Sequence, residues 1–264
     1  MIECGELTKR FGRLVAVDRL NLQVKSGELF GFLGPNGAGK TTTIRMLVGL
    51  LTPTAGWVRV GGIDMARRPL EAKALLGYVP DSPDLYERLT PRELLDLVAA
   101  IYRLDRAWAR ARARELLELF GIGEWADQVI GGLSRGTRQK LCLSAALLHQ
   151  PKALFLDEPT VGLDPRGART VKNLLRGLCR NGCAVFMSTH ILEIAERMCD
   201  RVGIIHRGRL VAVGSLEEVR RAARGARVGP EGAEAAGRRV GCAARRVPVP
   251  VAGEAPGGRR EAVA

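Results

Sequence analysis

The chain has 264 residues, 46% of them hydrophobic and 26% charged, a length and balance that suit one generous α/β domain with a real core and exclude a disordered or fibrous polymer. Its net charge of +13 would point to nucleic acid or an anionic membrane if the basic residues formed a stripe. They are dispersed, which reads as a solvated Arg-rich surface, and no nucleic-acid partner is expected.

The N-terminal segment Met1 to Arg10 carries Glu3, Glu6, Lys9 and Arg10 with no apolar block behind it, so it does not read as a signal peptide and export is not expected. Leu29 to Leu33 is a short uninterrupted apolar run, the pattern of a strand buried on both faces. It leads into Gly34-Pro35-Asn36-Gly37-Ala38-Gly39-Lys40-Thr41-Thr42 and then a helical pattern over Lys40 to Leu50, the strand, glycine loop and helix that a phosphate-binding loop needs. Glycines let successive N–H groups curl toward phosphate oxygens, and the helix start adds its positive dipole end. Lys40 would reach the β- and γ-phosphates as a compact cation, and the Thr41 hydroxyl would take a Mg²⁺ position. A plain glycine turn is the alternative reading of this stretch alone.

After the apolar segment Gly77-Tyr78-Val79-Pro80 the texture changes. Pro91 to Ile122 holds two Leu-, Ala-, Arg- and Glu-rich helical patterns with no strand between them, a small helical insertion placed with its flanks at 86–132. Thr90, Pro91 and Glu93 mark its start as N-cap, first helical residue and capping-box acid. The apolar patch Leu94 to Leu104 is broken by Asp96 and Arg103, and no stretch of the chain approaches the roughly 18 apolar residues of a membrane span.

Ala153 to Leu156 reads as another buried strand, and it ends in Asp157-Glu158. Adjacent carboxylates at the end of a strand are costly to keep together without a cation or a proton. Read alone, the pair could cap the turn Asp157-Glu158-Pro159-Thr160. Downstream of a phosphate loop, Asp157 is the candidate Mg²⁺ ligand and Glu158 the general base that polarises an attacking water. Helices are expected at Arg166 to Arg180 and Leu192 to Cys199, strands at Ala184 to Met187 and Val202 to Ile205, and together they make an α/β domain with a largely parallel sheet. Residues 221–264 contain no Leu, Ile, Phe, Met, Trp or Tyr and carry nine Arg against four Glu. The folded domain is therefore placed at 1–220 and the tail at 221–264 is expected to be disordered.

These residues resemble the ATP-binding cassette (ABC) family over about 1–215. Leu133-Ser134-Arg135-Gly136-Thr137-Arg138-Gln139 is similar to its signature motif, Asp164 in Gly162-Leu163-Asp164 to its D-loop, and His190 after Ser188-Thr189 to its switch histidine. Phe11 sits where the family places an aromatic that stacks on adenine. The resemblance implies a P-loop NTPase core, an N-terminal antiparallel β subdomain and a helical insertion. It further implies a head-to-tail dimer with each ATP and Mg²⁺ held between Lys40 and its loop on one copy and Ser134 and Gly136 on the other. Glu158 and His190 would carry hydrolysis, and Thr41, Asp81 and Asp157 would face the metal. Asp81 departs from the family's usual Gln, implying a water-bridged metal contact with activity retained. Arg135 and Thr137 also depart, in a way that resembles the cassettes of ABC-2-type exporters.

The function expected from the resemblance is the motor subunit of such an exporter, of drug, antibiotic or lipid-linked cargo. It would sit on the cytoplasmic face of the cell membrane beneath a separate integral-membrane permease, paired with a second copy of itself or a homologous cassette. A soluble cassette ATPase acting on ribosomes or nucleic acid, an importer subunit and a nucleotide-binding regulator without turnover are the alternatives. The six cysteines lack zinc-ligand spacing and read as cytosolic thiols, although Cys179 and Cys183 could be paired on a metal. His149 reads as a helix-end residue, His206 as a hairpin residue, Trp108 and Trp125 as packing, and Arg106 to Arg114 as a solvated helix face.

Overall fold

Apolar runs of five or six residues without polar alternation bury both their faces, and alternating runs bury one. Both kinds are present in the computed structural model, which describes residues 1–225. The alternating kind comprises β1 (Ile2–Phe11), β2 (Leu14–Val24), β4 (Ala55–Val60) and the two-residue β5 (Ile63–Asp64), joined in an antiparallel sheet of order β2-β1-β4-β5. The doubly buried kind comprises β3 (Leu29–Leu33), β6 (Leu76–Val79), β7 (Ala153–Asp157), β8 (Ala184–Thr189) and β9 (Arg201–His206), all parallel, with β10 (Arg209–Gly214) antiparallel on the β9 edge. Their order is β10-β9-β3-β8-β7-β6, so the strand before the glycine loop lies inside the sheet.

Each parallel strand feeds two cores. Phe30, Phe32, Phe155 and Phe186 point to the side shared with the antiparallel sheet and α1 (Lys40–Leu47). Leu29, Leu154, Leu156, Val185 and Met187 point to the side covered by α3 (Pro91–Ile101), α4 (Arg106–Leu119), α5 (Arg135–Leu147) and α6 (Pro165–Arg180). The remaining helices are α2 (Pro69–Ala74), α7 (Leu192–Met198) and α8 (Leu216–Gly225).

The expected architecture is therefore present: a largely parallel sheet, an antiparallel N-terminal sheet and a helical insertion. Thr90 makes the capping box, its hydroxyl accepting from Glu93 N while the Glu93 carboxylate accepts from Thr90 N. Two boundaries differ from expectation by three residues or more. The first helix stops at Leu47 rather than Leu50, because Gly49 turns left-handed (φ 69°) and the Leu50 and Gly49 N–H groups bond back to Arg45 O and Met46 O. The last helix carries the chain in regular structure to Gly225, past the boundary placed at 220. The rest of the 221–264 tail, with Cys242, lies outside the described residues. Among the described residues no helix is long and apolar enough to cross a membrane.

Candidate functional site

Strand register brings the sequence candidates to one edge. Leu33 pairs with Thr189 and Ile204, and Asp157 pairs with Ser188, so the glycine loop, the acid pair and Ser188–His190 leave the sheet side by side at the carboxyl ends of its strands.

The glycine loop closes on Gly39, at φ 108°, where a Cβ would lie 2.6 Å from Ala16 O. Lys40 opens α1, only 6% exposed, and its ammonium donates to Gly34 O at 2.8 Å and Pro35 O at 3.3 Å. The first turn of α1 carries no acid, leaving the positive end of the helix dipole free for an anion. Thr41 is exposed and Thr42 half-buried at that start, and Asn36 and Gly37 are exposed at the loop's tip. The loop is anchored from outside by the β9–β10 hairpin: Gly208 N donates to Ala38 O at 2.9 Å, and Gly208 O accepts from Asp18 N at 2.8 Å. His206 is the last strand residue before that two-residue turn, opposite Arg209, as its hairpin reading anticipated.

Asp157 is 1% exposed. Its Oδ1 accepts a 2.5 Å hydrogen bond from Ser188 Oγ, which in turn accepts from Glu158 N at 3.2 Å. Its Oδ2 is buried with no partner among the described residues. Burial, and after it the Asp157 charge, pushes the neighbouring Tyr78 phenol above its usual range. Glu158 holds φ 49°, a left-handed conformation that costs a non-glycine residue about 1–3 kcal/mol and recurs at functional sites. Its Oε1 lies 2.9 Å from His190 Nδ1 and 3.5 Å from Lys40 Nζ. A carboxylate can only accept, so Nδ1–H donates and the imidazole turns its other nitrogen outward.

Lys40, Asp157, Glu158 and His190 thus form one cluster in a single chain. The unpartnered Asp157 Oδ2 and the exposed Thr41 hydroxyl are hard oxygen donors of the kind Mg²⁺ shares with phosphate, so the residues present fit that ion. Among the described residues no three His, Cys, Asp or Glu side chains could hold a metal by themselves, Cys179 and Cys183 included; their thiols are pushed up to about 12 and about 11, chiefly by burial.

The other candidates sit elsewhere. Ser134 is exposed as the N-cap of α5, its hydroxyl accepting from Thr137 N at 3.1 Å, and a Cβ on half-buried Gly136 would lie 3.1 Å from Gly162 O. Asp164 caps α6, accepting from Gly167 N at 2.6 Å, so its carboxylate is engaged in its own chain. Asp81, two residues beyond β6, is exposed, with its Oδ1 3.9 Å from Arg135 Nη2. Phe11 ends β1 with 49% of its surface exposed and the Lys9 ammonium 5.2 Å from its ring centroid, leaving ring surface for a stacking partner. His149 stands just past the C-cap of α5, at the helix end where it was expected, and its ring also stacks on Tyr102 at 3.8 Å while its Nε2 lies 3.0 Å from Leu76 O. Trp125 packs on the helical core as expected, whereas Trp108 is 40% exposed at the start of α4.

Ser188 is the residue of this cluster that sequence reasoning passed over. Its only sequence signal is a hydroxyl closing an apolar strand just before His190, and its value depends on register with β7, 31 residues away.

Comparison with known proteins places this geometry. A family model described as ABC transporter matches residues 17–161. The chain is 39% identical over 220 residues to the probable multidrug ABC transporter ATP-binding protein YbhF of Escherichia coli, covering 83% of this chain but only 38% of that protein. It is 41% identical over 220 residues to the bacitracin transport ATP-binding protein BcrA of Bacillus licheniformis, covering 83% of this chain and 69% of that protein. Among solved structures, an ATP-binding subunit of an ABC transporter superposes with a TM-score of 0.81 at 33% identity, covering 87% of this chain and 95% of that one. The dimeric post-hydrolysis state of the cassette MJ0796 bound to ADP and Pi superposes at 0.76 with 26% identity, covering 82% of this chain and 99% of that one.

Proposed function

The chain belongs to the ABC transporter family, and we propose that it is the ATP-hydrolysing motor of a drug or antibiotic exporter, working as a head-to-tail pair on the cytoplasmic face of the membrane beneath a separate permease. The observation that carries the catalytic part is the Lys40–Glu158–His190 chain of contacts standing over a buried Asp157 with one unpartnered oxygen. The exporter part rests on the relatives, which are named for multidrug and bacitracin transport.

In this reading the glycine loop cradles the phosphates and Lys40 exchanges its two carbonyl partners for β- and γ-phosphate oxygens. Mg²⁺, held by Thr41 and Asp157 with Asp81 nearby, would neutralise charge on the β- and γ-phosphates. Glu158, freed from Lys40 by that exchange, accepts the proton of the attacking water, and His190 keeps its carboxylate oriented through the Nδ1–H bond. Phe11 supplies the adenine platform. Exposed Ser134, with Gly136 and the acid-free start of α5, offers N–H groups to the phosphates held by the partner copy, and the Asp164 loop lines the same interface.

The test is steady-state hydrolysis by the purified full chain. Glu158→Gln should lower kcat by roughly 10²- to 10⁴-fold with ATP binding kept, because only the proton acceptor is lost. Turnover left unchanged by that substitution would refute the mechanism. Co-expression with a cognate integral-membrane permease should alter the basal rate of the wild-type chain.

A further inference from the structure

Arg135 stands where three loops of the site meet. Its Nη2 lies 3.9 Å from Asp81 Oδ1, and a Cβ at Gly162 would lie 3.6 Å from Arg135 Cδ. A helix start favours acids, yet the first turn of α5 has none and carries Arg135 and Arg138 instead. Both arginines face acids of the 81–87 loop. Arg138 donates to Glu87 Oε1 at 2.9 Å and to Gly131 O at 2.7 Å, and Gly131 N donates to Glu87 O at 2.9 Å, so that end of the loop is fastened to the signature segment. The Asp81 end is held by charge alone, beyond hydrogen-bond distance, between side chains 53% and 60% exposed. Between the two lies a cavity of about 310 Å³ lined by Ser82, Pro83, Leu133, Arg135 and Arg138, which leaves the loop room to shift at that end.

We propose that Arg135 is a positioning residue that transmits the placement of Asp81, beside the subunit's own nucleotide, to the Ser134–Gly136 turn that the same subunit presents to its partner's nucleotide. The proposal rests on the dimeric reading above. Asp81 follows β6, which pairs with β7 as far as Val79 and Leu156, so it leaves the sheet at the same edge as Asp157, and in the reading above it lies beside the subunit's own nucleotide. Arg135 is the residue next to Ser134, so a pull on its guanidinium moves the N-cap of α5. One site is thereby informed of the other within a single chain, and the two sites of a pair become coupled. Two of the three residues that depart from the family pattern, an acid at 81 and a base at 135, are the two halves of this link.

The experiment uses the full chain carrying Glu158→Gln, so that ATP persists, and reads by sedimentation the Mg–ATP concentration that half-converts monomer to dimer at low salt. Adding Arg135→Gln is expected to raise that concentration two- to fivefold, the range open to an exposed ion pair, while Arg135→Lys recovers most of the loss. In the Asp81→Asn background Arg135→Gln is expected to add nothing, and near 1 M salt, where screening reaches about 3 Å, the effect of Arg135→Gln should vanish. An equal penalty in both backgrounds would overturn the proposal, since Arg135 would then act on the partner's phosphates or on the fold rather than through Asp81. A chain carrying only Glu158→Gln that stays monomeric at saturating Mg–ATP would overturn the dimeric reading itself, a result distinguishable from the first.

Discussion

Ser188 loads two bonds on one hydroxyl, donating to Asp157 Oδ1 and accepting from Glu158 N. It therefore fixes the Asp157 carboxylate and the Glu158 backbone at the end of β7. Ser188→Ala leaves a buried carboxylate oxygen without its donor, a loss of about 1–3 kcal/mol. The expected outcome is a lower midpoint in urea unfolding together with a reduced kcat at saturating ATP, and a kcat equal to the parent's would show that Asp157 is oriented by other means. The cysteines illustrate the opposite case, in which a chemically capable side chain is silenced by its surroundings. Burial pushes Cys4, Cys142 and Cys199 up to about 12, so these thiols stay protonated near neutrality and should resist alkylation in the folded chain at pH 8 while reacting after unfolding.

At the scale of elements, the parallel strands and their helices were legible because a doubly buried strand is written as a continuous apolar run. The glycine loop and the acid pair were legible because chemistry demands those residues in consecutive positions. The strands of the antiparallel sheet alternate, and β1 includes exposed Glu6, Arg10 and Phe11, so only the family resemblance anticipated them. Ser188 and the link from Asp81 to Arg135 join residues 31 and 54 positions apart and have no local signal at all. His149 belongs with them. It lies just past α5, yet it ties Tyr102 at the end of α3 to Leu76 at the start of β6 and so connects the insertion to the sheet. Burial lowers its pKa from the ordinary 6.5, which means the folded chain prefers the neutral ring and the unfolded chain binds the proton more readily. The His149 contribution is complete above about pH 6.5 and declines as pH falls below it. Stability measured at pH 5.5 should therefore fall less, relative to pH 7.5, in His149→Gln than in the parent.

At the scale of the molecule, the parallel sheet is the wall between two cores, and Phe186 is the centre of one of them. Its ring lies 5.7 Å from Phe30, 5.2 Å from Phe32 and 5.9 Å from Phe155, all fully buried. Phe186→Ala should cost about 3–5 kcal/mol, read as a fall in the unfolding midpoint, because this interlocked set cannot collapse into the space left behind. The same sheet delivers its catalytic edge just beyond these rings, with Ser188 two residues from Phe186, so a loosened core should also widen the spread of active-site conformations.

The β9–β10 hairpin has a consequence of its own. Protein engineers look to tight surface turns when they need somewhere to splice an epitope or a fluorescent reporter, and Arg207-Gly208 has that outward form. Here the turn is a strut: its backbone bolts the glycine loop to the antiparallel sheet through Ala38 and Asp18. A peptide spliced there should weaken ATP affinity sharply while leaving the melting temperature nearly unmoved, so labels are better placed elsewhere.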